Sequence, residues 1–270
     1  MGNRKVERLG ILQENGVPNC WRLKKGPLSP VGSESSKLHH YPPNFNKATR
    51  NLSPPTMSEN QVTRWITNQD GIENLTTETV PLPKPSKDEV LVRISAVSLN
   101  YRDTEVVMGL YNYYNKQNEP KKPLVPTSDM CGTVVAVGEN SQNTPWRVGD
   151  RVLSTFLQSH LSGQVNAQHL ATGLGKPLDG CLQTYRVFPS SGLVRAPAHM
   201  TDEEAGCLAI AAVTAWMAIN GMEPIDKIRG QGETVVLQGT GGVSISGLQI
   251  AKASGAKSET SALPSSGHVC

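Results

Sequence analysis

The chain has 270 residues, 37% of them hydrophobic and 5% aromatic, with 26 Lys and Arg against 23 Asp and Glu for a formal charge of +3. That length holds one large or two ordinary domains, and so small a net charge argues against a nucleic-acid partner. No apolar run is long enough to span a bilayer. The chain does not open on the apolar core of a secretory signal, and five cysteines without a C-x-x-C pair read as reduced thiols of a cytoplasmic protein.

Residues 1–56 carry nine basic and three acidic side chains, hence +6, which leaves −3 for the rest. They are rich in Pro, Ser and Asn and lack an apolar period, so a disordered extension is expected. Met57 opens sequence of a different character and reads as an alternative start. From Val62 onward the pattern is β-rich. Glu89–Leu99 alternates, with Val90, Ile94 and Ala96 on one face. Thr133–Val137, Arg151–Phe156, Cys181–Val187 and Leu193–Arg195 are further strands, punctuated by Gly138 and by Gly149-Asp150. Short strands broken by Gly and Pro predict a partly open barrel. The stretch from Gln158 to Asp179 has no period and reads as a covering loop. His160 and His169 lie in it without ligand spacing, so surface or hydrogen-bonded histidines are expected. Cys131 reads as a small packed residue.

Thr201-Asp202-Glu203-Glu204 is a capping box, with Thr201 at the N-cap and Glu204 three residues on. The following Ala205–Ile219 is almost wholly apolar, which predicts a buried helix ended by Asn220-Gly221.

Thr234–Ser244, TVVLQGTGGVS, running into Ile245–Gly255, carries the most information. Val235-Val236-Leu237 suits a strand covered on both faces. Gly239 permits a tight turn, and Gly241 lets the backbone approach a pyrophosphate with no Cβ in the way. Thr240, Gly242 and Val243 complete the turn, and Ser244 stands at the third fingerprint position in place of Gly. Small residues at Val243, Gly247, Ala251 and Gly255 would press a helix against the sheet, its N-terminus toward phosphate. A plain strand-to-helix turn is the alternative reading. Glu259 sits near the spacing of a ribose-binding acid, but Lys257–Cys270 has no β-branched run and reads as a polar tail.

The order of these parts resembles the medium-chain dehydrogenase/reductase superfamily. Ile94–Asp103, ISAVSLNYRD, with Gly109-Leu110-Tyr111, is similar to the entry of its GroES-like catalytic domain. Pro126–Gly138 matches its P-x-x-D-x-x-G-x-V-x-x-V-G signature, and Gly149-Asp150-Arg151-Val152 its G-D-R-V turn. Thr214-Ala215-Trp216 and Gly239–Ser244 complete the set, over about Met57 to Lys257. The resemblance implies a GroES-like partly open β-barrel over 57–195, then an incomplete Rossmann-like dinucleotide-binding domain over 196–257, and an unrelated polar tail over 258–270.

Within the superfamily the chain is closer to the quinone oxidoreductase-like, zinc-independent branch and to proteins called zinc-type alcohol dehydrogenases. Zinc-dependent members place Cys at the position of Asn100 and His-Glu at Ser128-Asp129, so no zinc and no metal ligand are expected. The resemblance places Asn100, Tyr101 and Asp103 in the catalytic cleft, although Asn and Asp there also suit a turn. Tyr101 and Tyr111 are both candidate proton donors. It places Thr214 beside the nicotinamide and Gly239, Thr240, Gly241, Gly242, Val243 and Ser244 at the cofactor. The expected function is hydride transfer from NADPH, or NADH, to a quinone, activated alkene or carbonyl. A small-molecule substrate is expected, and a homodimer in a full-length form. The family's domain continues past the glycine turn, so this chain is expected to be C-terminally truncated, to leave Val235-Val236-Leu237 as an unpaired edge, and to bind cofactor weakly. A non-catalytic GroES-like interaction module, and a longer enzyme of which this is a piece, stay open beside it.

Overall fold

The computed structural model describes residues 7–13, 21–27, 60–111, 122–139, 144–221 and 232–261. The chain divides into two units, Met1–Met57 and Ser58–Cys270. In the first, β1 (Glu7–Gln13) pairs antiparallel with β2 (Trp21–Pro27), in a stretch where the sequence predicts no regular structure.

The second unit begins with the hairpin β3 (Gln61–Ile66) and β4 (Thr76–Pro81). It continues through β5 (Glu89–Ser98), α1 (Tyr101–Val107), β6 (Asp129–Val137), β7 (Arg151–Ser154), the short α2 (Ala167–Leu170), β8 (Tyr185–Pro189) and β9 (Leu193–Arg195). Five strands form one antiparallel sheet in the order β8-β5-β6-β7-β9. The hairpin forms a separate sheet and, among the described residues, bonds to the segment that leads into β8, Trp65 N–H to the Leu182 carbonyl and Thr184 N–H to that of Thr63. The barrel is therefore partly open.

Val90, Val92, Met130, Val134, Val152 and Phe188 form its core, and Trp146 closes it by donating Nε1–H to the Ser190 carbonyl at 2.7 Å. Strict alternation along β5 fails because register shifts fall between Leu91 and Val92 and between Ile94 and Ala96. Two signature glycines have a steric cause. A Cβ on Gly132 would meet the Arg93 carbonyl and Val92, and one on Gly138 would meet the Ser86 carbonyl. The backbones cross too closely there for any side chain.

The capping box forms as expected. Thr201 Oγ1 accepts from Glu204 N–H at 3.2 Å, and the Glu204 carboxylate accepts from Thr201 N–H at 3.0 Å. The helix it starts is not one helix. It runs as α3 (Asp202–Gly206), a π-helical turn (Leu208–Ala212) and α4 (Val213–Asn220). Nor is it wholly buried. Ala205 and Ala215 are buried, while Val213 and Met217 are exposed.

Beyond it, β10 (Thr234–Gln238), α5 (Gly242–Ala253) and β11 (Lys257–Ser261) make a β-α-β unit with parallel strands, Val236 opposite Glu259. This corrects two expectations. The stretch KSETS is a strand rather than the start of a polar tail, and β10 is paired. A third also changes. Val235 and Leu237 are half-buried but Val236 is 66% exposed, because among the described residues the helices pack on one face of β10 only. Residues 262–270 lie outside the described ones. Among the described residues no helix is long and apolar enough to cross a membrane.

Candidate functional site

Two places gather the residues that can do chemistry. The first is the junction of β5, α1 and β6. Asn100 is the N-cap of α1, and Asp103 in its first turn accepts the Asn100 N–H at 2.8 Å, one arm of a capping box. Asp103 is buried. Burial pushes its carboxyl up from the ordinary range, against the pull of the Asn100 N–H and of Arg102. Tyr101 is 81% exposed. Tyr111 is buried, with the Arg102 guanidinium 4.7 Å from its ring centre and 4.8 Å from that of Phe156. Of the two candidate tyrosines, only Tyr101 stands open to a ligand.

Arg102 is thus clamped between two rings. It donates Nη1–H to the Leu174 carbonyl at 3.1 Å, while its Nε has no hydrogen-bond partner.

Across from Asn100 stands Asp129, which the sequence reading takes only as a letter of the signature and as a position that lacks a zinc-type ligand. It is fully buried at the start of β6. Its Oδ2 accepts from Asn100 Nδ2 at 3.1 Å and from the Ile210 N–H of the π turn, also at 3.1 Å. Burial pushes the Asp129 carboxyl up to about 6, a rise the Asn100, Ile210 and Ser128 hydrogen bonds oppose and the Asp103 charge assists. A single Asp between apolar Val125 and Met130–Val137 was the available signal.

The preceding Thr127 has φ 69, a left-handed conformation that is rare for a β-branched residue. Its buried Oγ1 has no partner, and its carbonyl accepts the Cys181 N–H at 3.0 Å. This turn aims Ser128 and Asp129 inward. Burial pushes the Cys181 thiol up to about 12, so it stays protonated.

The second place is the glycine turn. Gly239 has φ 74, the left-handed turn expected of it. A Cβ built on Gly239 or on Gly241 meets nothing within 4 Å. Gly241 is the N-cap of α5, so the first-turn N–H groups of Gly242, Val243 and Ser244 emerge at this open space. Thr240 is exposed beside them. Ser244 Oγ donates to the Gln238 carbonyl at 2.7 Å and ties helix to strand. Gly247 packs where any Cβ would press on Leu237 at 2.9 Å, and Ala251 is buried. Val243 is 40% exposed and does not join that packed face. Thr214 lies exposed in the first turn of α4, next to the buried Ala215.

The two histidines are hydrogen-bonded at the surface, His160 Nε2 to the Gly163 carbonyl at 3.0 Å and His169 Nδ1 to the Asn166 N–H at 3.3 Å. Cys131 is packed as expected and also donates to Asp202 at 3.4 Å.

Known proteins share this fold. The alcohol dehydrogenase GroES-like domain family matches residues 86–198. A zinc-type alcohol dehydrogenase-like protein of Schizosaccharomyces pombe is 38% identical over 187 residues, 69% of this chain and 51% of that protein. An acryloyl-coenzyme A reductase of Sulfurisphaera tokodaii is 34% identical over 187 residues, 67% of this chain and 52% of that one. A solved structure from Sinorhizobium meliloti 1021, assigned as an alcohol dehydrogenase, superposes with a TM-score of 0.63 at 36% identity over 76% of this chain and 57% of that one. The chain spans about half the length of the curated relatives it matches. The GroES-like domain matched over residues 86–198, together with these relatives, groups the chain with the medium-chain dehydrogenase/reductase superfamily.

Proposed function

We propose that the chain acts as an NAD(P)H-dependent oxidoreductase that passes hydride to an activated alkene, a quinone or a carbonyl compound, without catalytic zinc. The observation that carries this reading is the parallel β10-α5-β11 unit, whose turn leaves open space at Gly239 and Gly241 in front of a helix N-terminus. A pyrophosphate needs such a cradle. Gly239 through Ser244 would hold the cofactor, NADPH in preference to NADH, and Thr214 would lie along its nicotinamide half. The bound cofactor supplies the hydride.

The chain's own residues then bind and polarise the acceptor. One N–H of the Asn100 amide is taken by Asp129, and an asparagine has two. The second serves an oxygen on which negative charge develops. Tyr101, exposed beside it, holds a proton for the reduced product. Asp103 fixes the start of α1 and so the place of Asn100.

The donor set does not suit zinc. Asn100 offers an amide, Ser128 a hydroxyl, and the Asp129 oxygen is already engaged by two N–H groups. Catalytic zinc takes three His, Cys or carboxylate ligands. Acceptors that spread charge by themselves, such as an α,β-unsaturated thioester, need no Lewis acid. The acryloyl-coenzyme A reductase among the relatives is named for a substrate of that class.

Exposed Val213, Met217, Val236 and Ile245 favour a second reading, a non-catalytic module that binds another protein. Deuteride transfer separates the two. Incubation with 4-deuterated NADPH and crotonyl-coenzyme A should place deuterium on a carbon of the product, unaffected by chelator, and a naphthoquinone should oxidise the cofactor. Activity removed by chelator and restored by zinc would contradict the zinc-free mechanism. No transfer to any acceptor would favour the module.

A further inference from the structure

We propose that Asp129 is a positioning residue that joins the substrate cleft to the cofactor turn. Its one oxygen, Oδ2, holds the Asn100 side-chain amide and the Ile210 backbone N–H together, each at 3.1 Å. The inference rests on the reading of Asn100 as a cleft residue and of Gly239–Ser244 as the cofactor turn.

The path is short and contiguous. Asn100 caps α1, on the barrel side. Ile210 lies inside the π turn Leu208–Ala212. A side chain that engages a helix N–H is an ordinary cause of such local widening. The next residue, Ala211, has its Cβ 3.4 Å from where a Cβ of Gly242 would stand, at the first residue of α5. A carboxylate on β6 therefore sets the amide that meets substrate and the backbone that abuts the glycine turn.

The charge matters as well as the shape. An ionised acceptor holds both donors more tightly than a neutral one. The groups around it are Asn100 and, at longer range, Asp103 with Arg102 beside it from α1; Ser128 from its own strand; Ile210 N–H from the π turn; and the Cys181 thiol ahead of β8. Burial and Asp103 raise its protonation range toward neutral pH, and the three hydrogen bonds oppose that rise. Protonation on mild acidification then loosens both bonds at once. Asp129→Asn reproduces that neutral form at every pH without changing the shape.

Two measurements on the full chain test this. The first uses selective 15N labels on the isoleucine amides and the asparagine side chains. The Ile210 and Asn100 signals should move together with pH, with one midpoint near 6, and should be silent in Asp129→Asn. The second is calorimetric titration with NADP+, which survives acid. Wild type should bind about fivefold tighter than Asp129→Asn at pH 7.5, and the ratio should approach one at pH 5. The ratio cancels any titration of the ligand's own phosphate. Signals that move independently, or a ratio equal at both pH values, would overturn the proposal. The first measurement needs no cofactor. Linked signals without NADP+ binding would uphold the joint held by Asp129 and count against the oxidoreductase reading alone.

Discussion

Ser244 Oγ donates to the Gln238 carbonyl at 2.7 Å, so the residue at the third fingerprint position staples the first turn of α5 to the last residue of β10. A glycine there could not make this bond. Ser244→Ala and Ser244→Gly should each lower stability by about 1 kcal/mol in urea denaturation. Equal stability of Ser244→Ala and wild type would show that the staple carries no energy.

Gly132 stands where β6 passes the bulge of β5, and a Cβ would meet the Arg93 carbonyl and Val92. Gly132→Ala should cost about 2–3 kcal/mol, since the backbone and not a flexible side chain must yield. Differential scanning calorimetry reads this as a lowered Tm. An unchanged Tm would mean the strands can part at that crossing.

Arg151 holds α3 to the barrel. Its Nε and Nη2 reach Asp202 Oδ1 at 2.9 and 2.6 Å, and Nη2 also reaches the Met200 carbonyl at 2.9 Å. Burial works to raise the Asp202 carboxyl, but the hydrogen bonds from Arg151 and Cys131 hold it below the ordinary range. Stability from this pair is therefore present above the unfolded-state value near 4 and fades as pH falls through the lower folded value. Arg151→Lys loses the fork and should lower stability at pH 7, with the gap closing in acid. A gap that does not depend on pH would place the loss in packing instead.

Asp129 predicts the opposite slope. Its folded carboxyl is raised to about 6, so between about 4 and 6 the native state holds a proton that the unfolded chain has released. This contribution to stability is full below 4 and is lost as pH rises to 6 and beyond. Asp129→Asn should thus be more stable than wild type by about 3 kcal/mol at pH 8, and equal to it near pH 4. A less stable Asp129→Asn at pH 8 would mean that the ionised carboxylate serves the fold.

Local patterns were the legible part. The Thr201 capping box, the Gly239 turn and the small residues at Gly247 and Ala251 each follow from neighbours a few residues apart, and the structure has them. The barrel strands follow from short β-branched runs between glycines. The π turn has no such pattern; the Asp129 carboxylate that accepts its Ile210 N–H lies 81 residues away in sequence. Strand β11 has no signal in KSETS, which carries no apolar run; it is a strand through its backbone pairing with β10. The apolar content of Ala205–Ile219 could not tell which face is covered, and Val213 and Met217 lie open. At the site, the sequence places Asn100 and Asp103 just past a strand end, where the structure has the N-cap and first turn of α1, and their cleft role follows from the family resemblance alone. The joining place of Asp129 is not legible in the sequence, because its two partners, Asn100 and Ile210, sit on other elements.

The most direct test of the account is NADP+ binding to wild type and to Gly241→Val. Among the described residues a Cβ at Gly241 meets nothing within 4 Å, so the variant should fold and melt much as wild type does. It would intrude only on a ligand in the cradle. The account predicts saturable binding by wild type, with a Kd somewhere from about 1 μM to about 1 mM, and at least tenfold weaker binding by Gly241→Val. Wild type that does not bind, or a Gly241→Val variant that binds equally well, would contradict it.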